Sequence, residues 1–185
     1  MCSESGGRQL SRRRIIAASA WALAGAISPS AMMAFAASRQ RSLRLHNLHT
    51  GEALSVTYWE DGNYLPDAVG EISYLLRDHR TDAVHPIDTE LLDTLNALQS
   101  SLGFDARYEV ISGYRSPATN EMLRRKGRAV AKRSMHMEGK AVDVRVPGQP
   151  LEQVRQAAMA LRAGGVGHYE NSGFLHVDVG RVRSW

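Results

Sequence analysis

Apolar and polar residues alternate over Ser42–Leu48, with Leu43 and Leu45 on one side, and again over Ala53–Trp59, with Leu54, Val56 and Tyr58 on one side. A period of two marks a strand with one buried face. Thr50-Gly51-Glu52 between the two runs predicts a β-hairpin, and Gly62-Asn63 closes its second strand. The spacing then becomes helical. Pro66 suits the first turn of a helix reaching about His79, with Val69, Ile72 and Leu76 in one stripe. Asp88 predicts the N-cap of a second helix, Leu91, Leu95, Leu98 and Leu102 form its buried stripe, and Gly103 stops it. Tyr108–Ser112 reads as a short strand. Ser116-Pro117 begins a third helix, and Leu151–Ala163 is a fourth, ended by Gly164-Gly165. Two more strands show period two: Ala141–Val146 sets Val142, Val144 and Val146 against Asp143 and Arg145. Phe174–Val179 sets Leu175, Val177 and Val179 against Phe174, His176 and Asp178. Strands and helices do not alternate regularly, which predicts an α+β fold with a central antiparallel sheet flanked by helices.

The first 36 residues read as an address rather than as part of that fold. Ser11-Arg12-Arg13-Arg14 precedes a small apolar run, Ala17–Ile27, and Ala34-Phe35-Ala36 offers a cleavage site. The run is shorter than the roughly 20 residues that a membrane span needs. Adjacent arginines after a serine suggest a twin-arginine signal, which passes folded proteins through the twin-arginine translocase; an ordinary secretory signal is the alternative. Residues 37–185 are then a single domain in the periplasm with no stable membrane anchor. Removing the leader takes four arginines and one glutamate from a chain of 23 basic and 19 acidic residues, leaving 19 against 18. The pI near 9.5 therefore overstates the basicity of the domain, and a nucleic-acid partner is not expected. The only cysteine, Cys2, leaves with the leader, so the core has no disulfide to support it.

Candidate chemistry concentrates in Ser134-Met135-His136-Met137-Glu138-Gly139-Lys140-Ala141-Val142-Asp143 and in Phe174-Leu175-His176-Val177-Asp178. If the two strands are neighbours, Asp143 and His176 project from one side, and the Glu138-Gly139-Lys140 turn brings His136 over it. Two imidazoles and a carboxylate make a three-ligand set for one Zn2+. The fourth position stays open, as in hydrolytic rather than structural sites. Nitrogen and oxygen donors in this number favour zinc over calcium or magnesium. The plainer alternative pairs Asp143 with Arg145 or Lys140.

The pattern Ser134-x-His136-x6-Asp143 with a later His176-x-Asp178 resembles the zinc DD-peptidase, lysostaphin and hedgehog superfamily. The chain is more closely similar to the MepK-type murein endopeptidases of peptidase class M15, once a domain of unknown function. The similarity runs through Leu45–Glu52, Ile111–Ser116, Arg162–Gly167 and Phe174–Trp185, nearly the whole mature chain. The resemblance implies a hedgehog/DD-peptidase-like fold, zinc on His136, Asp143 and His176, and hydrolysis of peptide cross-links in peptidoglycan at meso-diaminopimelate during wall growth. It implies peptidoglycan stem peptides as the partner. Arg115, in Ser-Gly-Tyr-Arg-Ser, is implied as the group that meets substrate or a developing oxyanion, with a structural arginine as the alternative. Ser134, at the head of the motif, is a further candidate for substrate binding.

The general base departs from the family pattern. Some relatives carry Glu three residues before the last histidine ligand, where this chain has Gly173; others carry His two residues before, where it has Phe174. Asp178 is expected to act either as the base or by orienting a ligand imidazole. Glu170 and His168 are the alternative bases. The basic run Arg124–Arg128 with Lys132-Arg133 attracts wall carboxylates or is a solvated helix end. His46 and His49 lie too far off to count as ligands, His79 and His85 read as surface residues, and Gly164–Gly167 is a helix stop rather than a dinucleotide loop. Two other functions stand beside the endopeptidase: a D-alanyl-D-alanine carboxypeptidase, and a non-catalytic wall-binding module that keeps zinc.

Overall fold

The computed structural model describes residues 40–103, 106–127 and 130–185, so the predicted export signal and Cys2 lie outside the described residues. The elements are β1 (Gln40–Asn47), β2 (Ala53–Glu60), β3 (Asn63–Tyr64), α1 (Pro66–Leu75), α2 (Thr89–Leu102), β4 (Arg107–Ser112) and α3 (Pro117–Arg125). After them come a 3-10 turn at Met135–Glu138, β5 (Ala141–Arg145), α4 (Leu151–Leu161), β6 (Gly165–Tyr169), β7 (Phe174–Asp178) and β8 (Arg183–Ser184). The strands form one eight-stranded sheet in the order β3-β2-β1-β4-β5-β7-β6-β8.

The α+β reading holds, but the sheet is mixed rather than antiparallel. β1 pairs with β4 in parallel, and β6 with β8 in parallel. The chain leaves β1 through the hairpin, crosses α1 and α2, and returns in the original direction, which only a parallel pairing accommodates. The predicted hairpin is present, with Leu45 opposite Leu54 and Leu43 opposite Val56.

Helices α1, α2 and α4 pack on one face of the sheet. Leu43, Leu45, Val142, Val144, Leu175 and Val177 meet Ile72, Leu91, Leu95, Leu98 and Val154 there. Leu91, Leu95 and Leu98 are completely buried, and burial of one such side chain stabilises the fold by about 1.5–3 kcal/mol. The caps fall where the sequence places them. Asp88 accepts from the Glu90 N–H, Gly103 closes α2 in the left-handed region at φ 77, and the Ser116 side chain accepts from the Thr119 N–H.

Two helix ends differ from the sequence reading. α1 ends at Leu75, not near His79. The Leu76 carbonyl is taken by the Tyr114 N–H, and the Asp78 carboxylate accepts from the Ser116 and Arg80 N–H groups. α4 ends at Leu161, and its C-cap Arg162 itself adopts φ 52. Gly164 lies against the Asp178 backbone, and Gly165 is the first residue of β6, a strand the periodicity did not reveal. Among the described residues no helix is long and apolar enough to cross a membrane.

Candidate metal centre

β5 and β7 are antiparallel neighbours, and Asp143 stands directly opposite His176. Directly paired residues project from the same face, here the face turned away from the helices. The Met135–Glu138 turn, closed by Gly139 at φ 67, carries His136 over it. A side chain at Gly139 would run into the Pro86 carbonyl, so both the dihedral and the contact require glycine there. The polar face is not solvated as the alternation suggests. His136, Asp143 and His176 are 2, 7 and 8 % exposed, and Asp178 is fully buried.

Three atoms converge. His136 Nε2 lies 3.1 Å from His176 Nδ1 and 3.2 Å from Asp143 Oδ1, and His176 Nδ1 lies 2.9 Å from Asp143 Oδ1. Each imidazole uses its other nitrogen elsewhere. His136 Nδ1 donates to the Gly113 carbonyl at 2.7 Å. His176 Nε2 donates to Asp178 Oδ2 at 2.9 Å. With those protons placed, both facing nitrogens present lone pairs to each other and to a carboxylate. Three acceptors at such distances repel unless a cation lies among them. Ligand atoms about 2.0–2.1 Å from a tetrahedral ion stand roughly 3.3 Å apart, close to the observed 2.9–3.2 Å. The donor set therefore fits a zinc ion, and among the described residues it is the one His/Cys/Asp/Glu group of this kind.

Where no metal cation lies among these groups, a proton on His176 takes its place. Burial pushes the Asp143 carboxyl up, but the charge and hydrogen bonds of His136 and His176 prevail and hold it well below the usual carboxylate range. Burial opposes a proton on His176, yet the hydrogen bonds to Asp143 and Asp178 raise its pKa. Asp178 is likewise held low against its burial, by His176, Arg183 and the Gly180 and Gly165 N–H groups. Arg183 Nη2 meets Asp178 Oδ2 at 2.7 Å.

The other candidates are placed unevenly. Arg115 is 11 % exposed at its side chain, and its Nη2 lies 3.8 Å from Asp143 Oδ2. Its Nε is buried with no hydrogen-bond partner, and burial lowers its pKa. Its backbone N–H donates to the His136 carbonyl, tying the Ser-Gly-Tyr-Arg-Ser segment to the ligand turn. Asp178 stands behind the imidazole, on the nitrogen that faces away from the cluster. Ser134 is buried at the N-cap of the ligand turn, where its carbonyl accepts from the Met137 N–H. Glu170 is exposed on the turn after β6. His168 pairs with Leu175, so it projects from the helix side of the sheet and the structure does not bring it to the cluster. Asp143 makes neither of the pairings offered as the plainer alternative: Arg145 meets Glu109 and Lys140 meets Glu138. His79 and His85 are half-buried rather than free on the surface, stacked on His49 and Tyr114.

Residues 35–185 match the family described as peptidoglycan L,D-endopeptidase MepK. The chain belongs to the MepK family. It is 40% identical over 175 residues to the peptidoglycan L,D-endopeptidase MepK of Escherichia coli strain K12, covering 94% of this chain and 96% of the relative. It is 42% identical over 176 residues to the probable peptidoglycan L,D-endopeptidase MepK of Haemophilus influenzae, covering 94% and 95%. No solved structure matches.

Sequence reasoning passed over several residues around the cluster in this MepK-family chain. Arg183 and Trp185 reach it because β8 adds beside β6. Gly165 and Gly167 leave the space they fill. A Cβ at Gly165 would stand 2.5 Å from Asp178 Oδ2, and one at Gly167 would stand 2.7 Å from the Trp185 indole. The available signal was alternation over Gly165–Tyr169, hidden because glycine has no side chain to count.

Proposed function

We propose that the protein is a zinc-dependent murein endopeptidase that hydrolyses peptide cross-links of peptidoglycan, at bonds to meso-diaminopimelate, during wall growth. The observation that carries this reading is the convergence of His136 Nε2, Asp143 Oδ1 and His176 Nδ1 in a MepK-family chain. The name of the relatives supports the substrate class. The ligand order along β5 and β7 supports a hedgehog/DD-peptidase-like fold.

His136, Asp143 and His176 would hold the zinc. When bound, zinc supplies a Lewis acid that polarises the carbonyl under attack and lowers the pKa of water from 15.7 to about 7. The chain's own residues do the rest. The Gly113 carbonyl fixes the His136 tautomer, and Asp178 fixes that of His176, so both lone pairs stay aimed inward. Asp178 is thus a positioning residue rather than the base. Arg115, with an unpartnered Nε and with Nη2 3.8 Å from Asp143 Oδ2, supplies a cationic donor for a substrate oxygen. Ser134 supports the turn that presents His136. Glu170 remains the candidate proton acceptor. The same reading exports the chain to the periplasm by the twin-arginine route and removes residues 1–36.

Mass spectrometry of defined cross-linked muropeptide dimers tests the proposal. The zinc-loaded protein converts dimers to monomers, EDTA stops it, and His136→Ala abolishes it. Loss of a terminal alanine with cross-links intact would instead identify a carboxypeptidase. Intact dimers with zinc bound would leave a wall-binding module.

A further inference from the structure

The sheet edge beyond the cluster carries side chains that the ligand set does not use. Gly167 pairs with His176. Tyr169 and Phe174, two residues further along each strand, therefore project from the same face as His176. Their rings stack with centroids 4.7 Å apart. Trp185 leans on His176, with ring centroids 5.3 Å apart, and its Nε1–H donates to the Tyr169 hydroxyl at 3.2 Å. The Arg183 guanidinium, locked on Asp178, lies 4.9 Å over the indole. Tyr169 is 38 % and Trp185 50 % exposed.

A phenol both accepts hydrogen bonds and donates one, whereas an indole N–H only donates. Trp185 therefore occupies the accepting side of the Tyr169 oxygen. Among the described residues no acceptor takes the Tyr169 proton. The result is a half-exposed donor, fixed in direction by a neighbour that itself touches a ligand imidazole.

We propose that Tyr169 is a substrate-binding residue: its hydroxyl, oriented by Trp185, donates a hydrogen bond to a carbonyl oxygen of the bound peptide on the His176 side of the cluster, while Arg115 serves the Asp143 side. That the peptide is a peptidoglycan stem rests on the function proposed above. The hydrogen bond itself does not require turnover. Removal of one such neutral donor weakens binding by about tenfold at most, and by more if the oxygen gains charge during the reaction.

The full chain and its Tyr169→Phe and Trp185→Phe variants decide the matter. Calorimetry of the metal-free proteins with a stem tetrapeptide containing meso-diaminopimelate gives affinity. Steady-state cleavage of cross-linked dimers by the zinc-loaded proteins gives KM and kcat, and competition with a chromophoric chelator gives zinc affinity. Tyr169→Phe is expected to bind the tetrapeptide about tenfold more weakly with zinc affinity unchanged. Trp185→Phe, which keeps an aromatic ring but loses the N–H, is expected to move the same way by a smaller factor. Tetrapeptide affinity of Tyr169→Phe within twofold of the parent overturns the proposal, as does a loss of zinc affinity in step with peptide affinity. A parent that binds the tetrapeptide but leaves dimers intact sinks the endopeptidase reading alone, and the binding comparison still judges Tyr169. A parent that neither binds nor cleaves overturns both.

Discussion

Replacing Asp178 with asparagine tests how the second layer controls the cluster. The carboxylate accepts five hydrogen bonds. Oδ1 takes the Gly165 N–H at 3.1 Å, the Gly180 N–H at 2.9 Å and Arg183 Nη1 at 3.1 Å. Oδ2 takes His176 Nε2 at 2.9 Å and Arg183 Nη2 at 2.7 Å. Asparagine has one acceptor oxygen and one donor amide. Two backbone N–H groups need the oxygen at the first position, so the amide must face His176 and Arg183, both donors. The imidazole relieves its clash by accepting at Nε2, which moves its own proton to Nδ1. That proton then occupies the lone pair aimed at Asp143. Changes to such outer partners typically weaken metal binding 10–100-fold, about 1.4–2.7 kcal/mol at 1.36 kcal/mol per tenfold change. Zinc competition with a chromophoric chelator measures this, and circular dichroism of the metal-free variant checks the fold. Zinc affinity within twofold of the parent, in a folded variant, would refute the assignment of Asp178 as the residue that sets the His176 tautomer.

Three further outcomes follow from the packing and the charges. Gly167→Ala puts a methyl group 2.7 Å from the Trp185 indole; urea denaturation should show a loss of about 1–3 kcal/mol, the usual cost of overpacking. Leu95→Ala, at a completely buried position in α2, should cost about 2–5 kcal/mol in the same assay. Burial raises the Asp78 carboxyl, but hydrogen bonds from the Ser116 and Thr119 side chains and the Ser116 and Arg80 N–H groups outweigh it and lower the pKa to about 2. A lowered acid contributes its stability in full above its unfolded value, near 3.9, and loses it as pH falls through about 2; the contribution is about 2.5 kcal/mol. Asp78→Asn should therefore lower stability near neutral pH and flatten the acid limb of the stability curve, which urea titrations from pH 2 to pH 7 would show.

Much of the fold was legible because its signals are local. The β1–β2 hairpin, the Asp88 and Ser116 caps and the Gly103 stop each depend on a few consecutive residues. So does the alternation that sets Asp143 and His176 on one face. The register that places them opposite each other follows once β5 and β7 are neighbours. What stayed hidden depends on distant contacts. The parallel pairing of β1 with β4 is decided by where the chain returns after two helices. Gly164-Gly165 looked like a helix stop, yet the glycines answer the close approach of Asp178, Arg183 and Val179. β3 and β8 have two residues each, too few to show a period. The pairing of Asp178 with Arg183 arises only when β8 adds beside β6. The three ligands were readable from spacing and resemblance, whereas the division between the facing and the rear nitrogen of His176 was not.

The most direct test of the central claim is X-ray absorption at the zinc edge on protein loaded with one equivalent of zinc. The account predicts four-coordinate zinc with two imidazole nitrogens and a carboxylate oxygen at about 2.0–2.2 Å, and one further light atom from solvent. Loss of imidazole scattering in His136→Ala and in His176→Ala would belong to the same result. A spectrum with a six-oxygen shell, or one unchanged by removing either histidine, would contradict it.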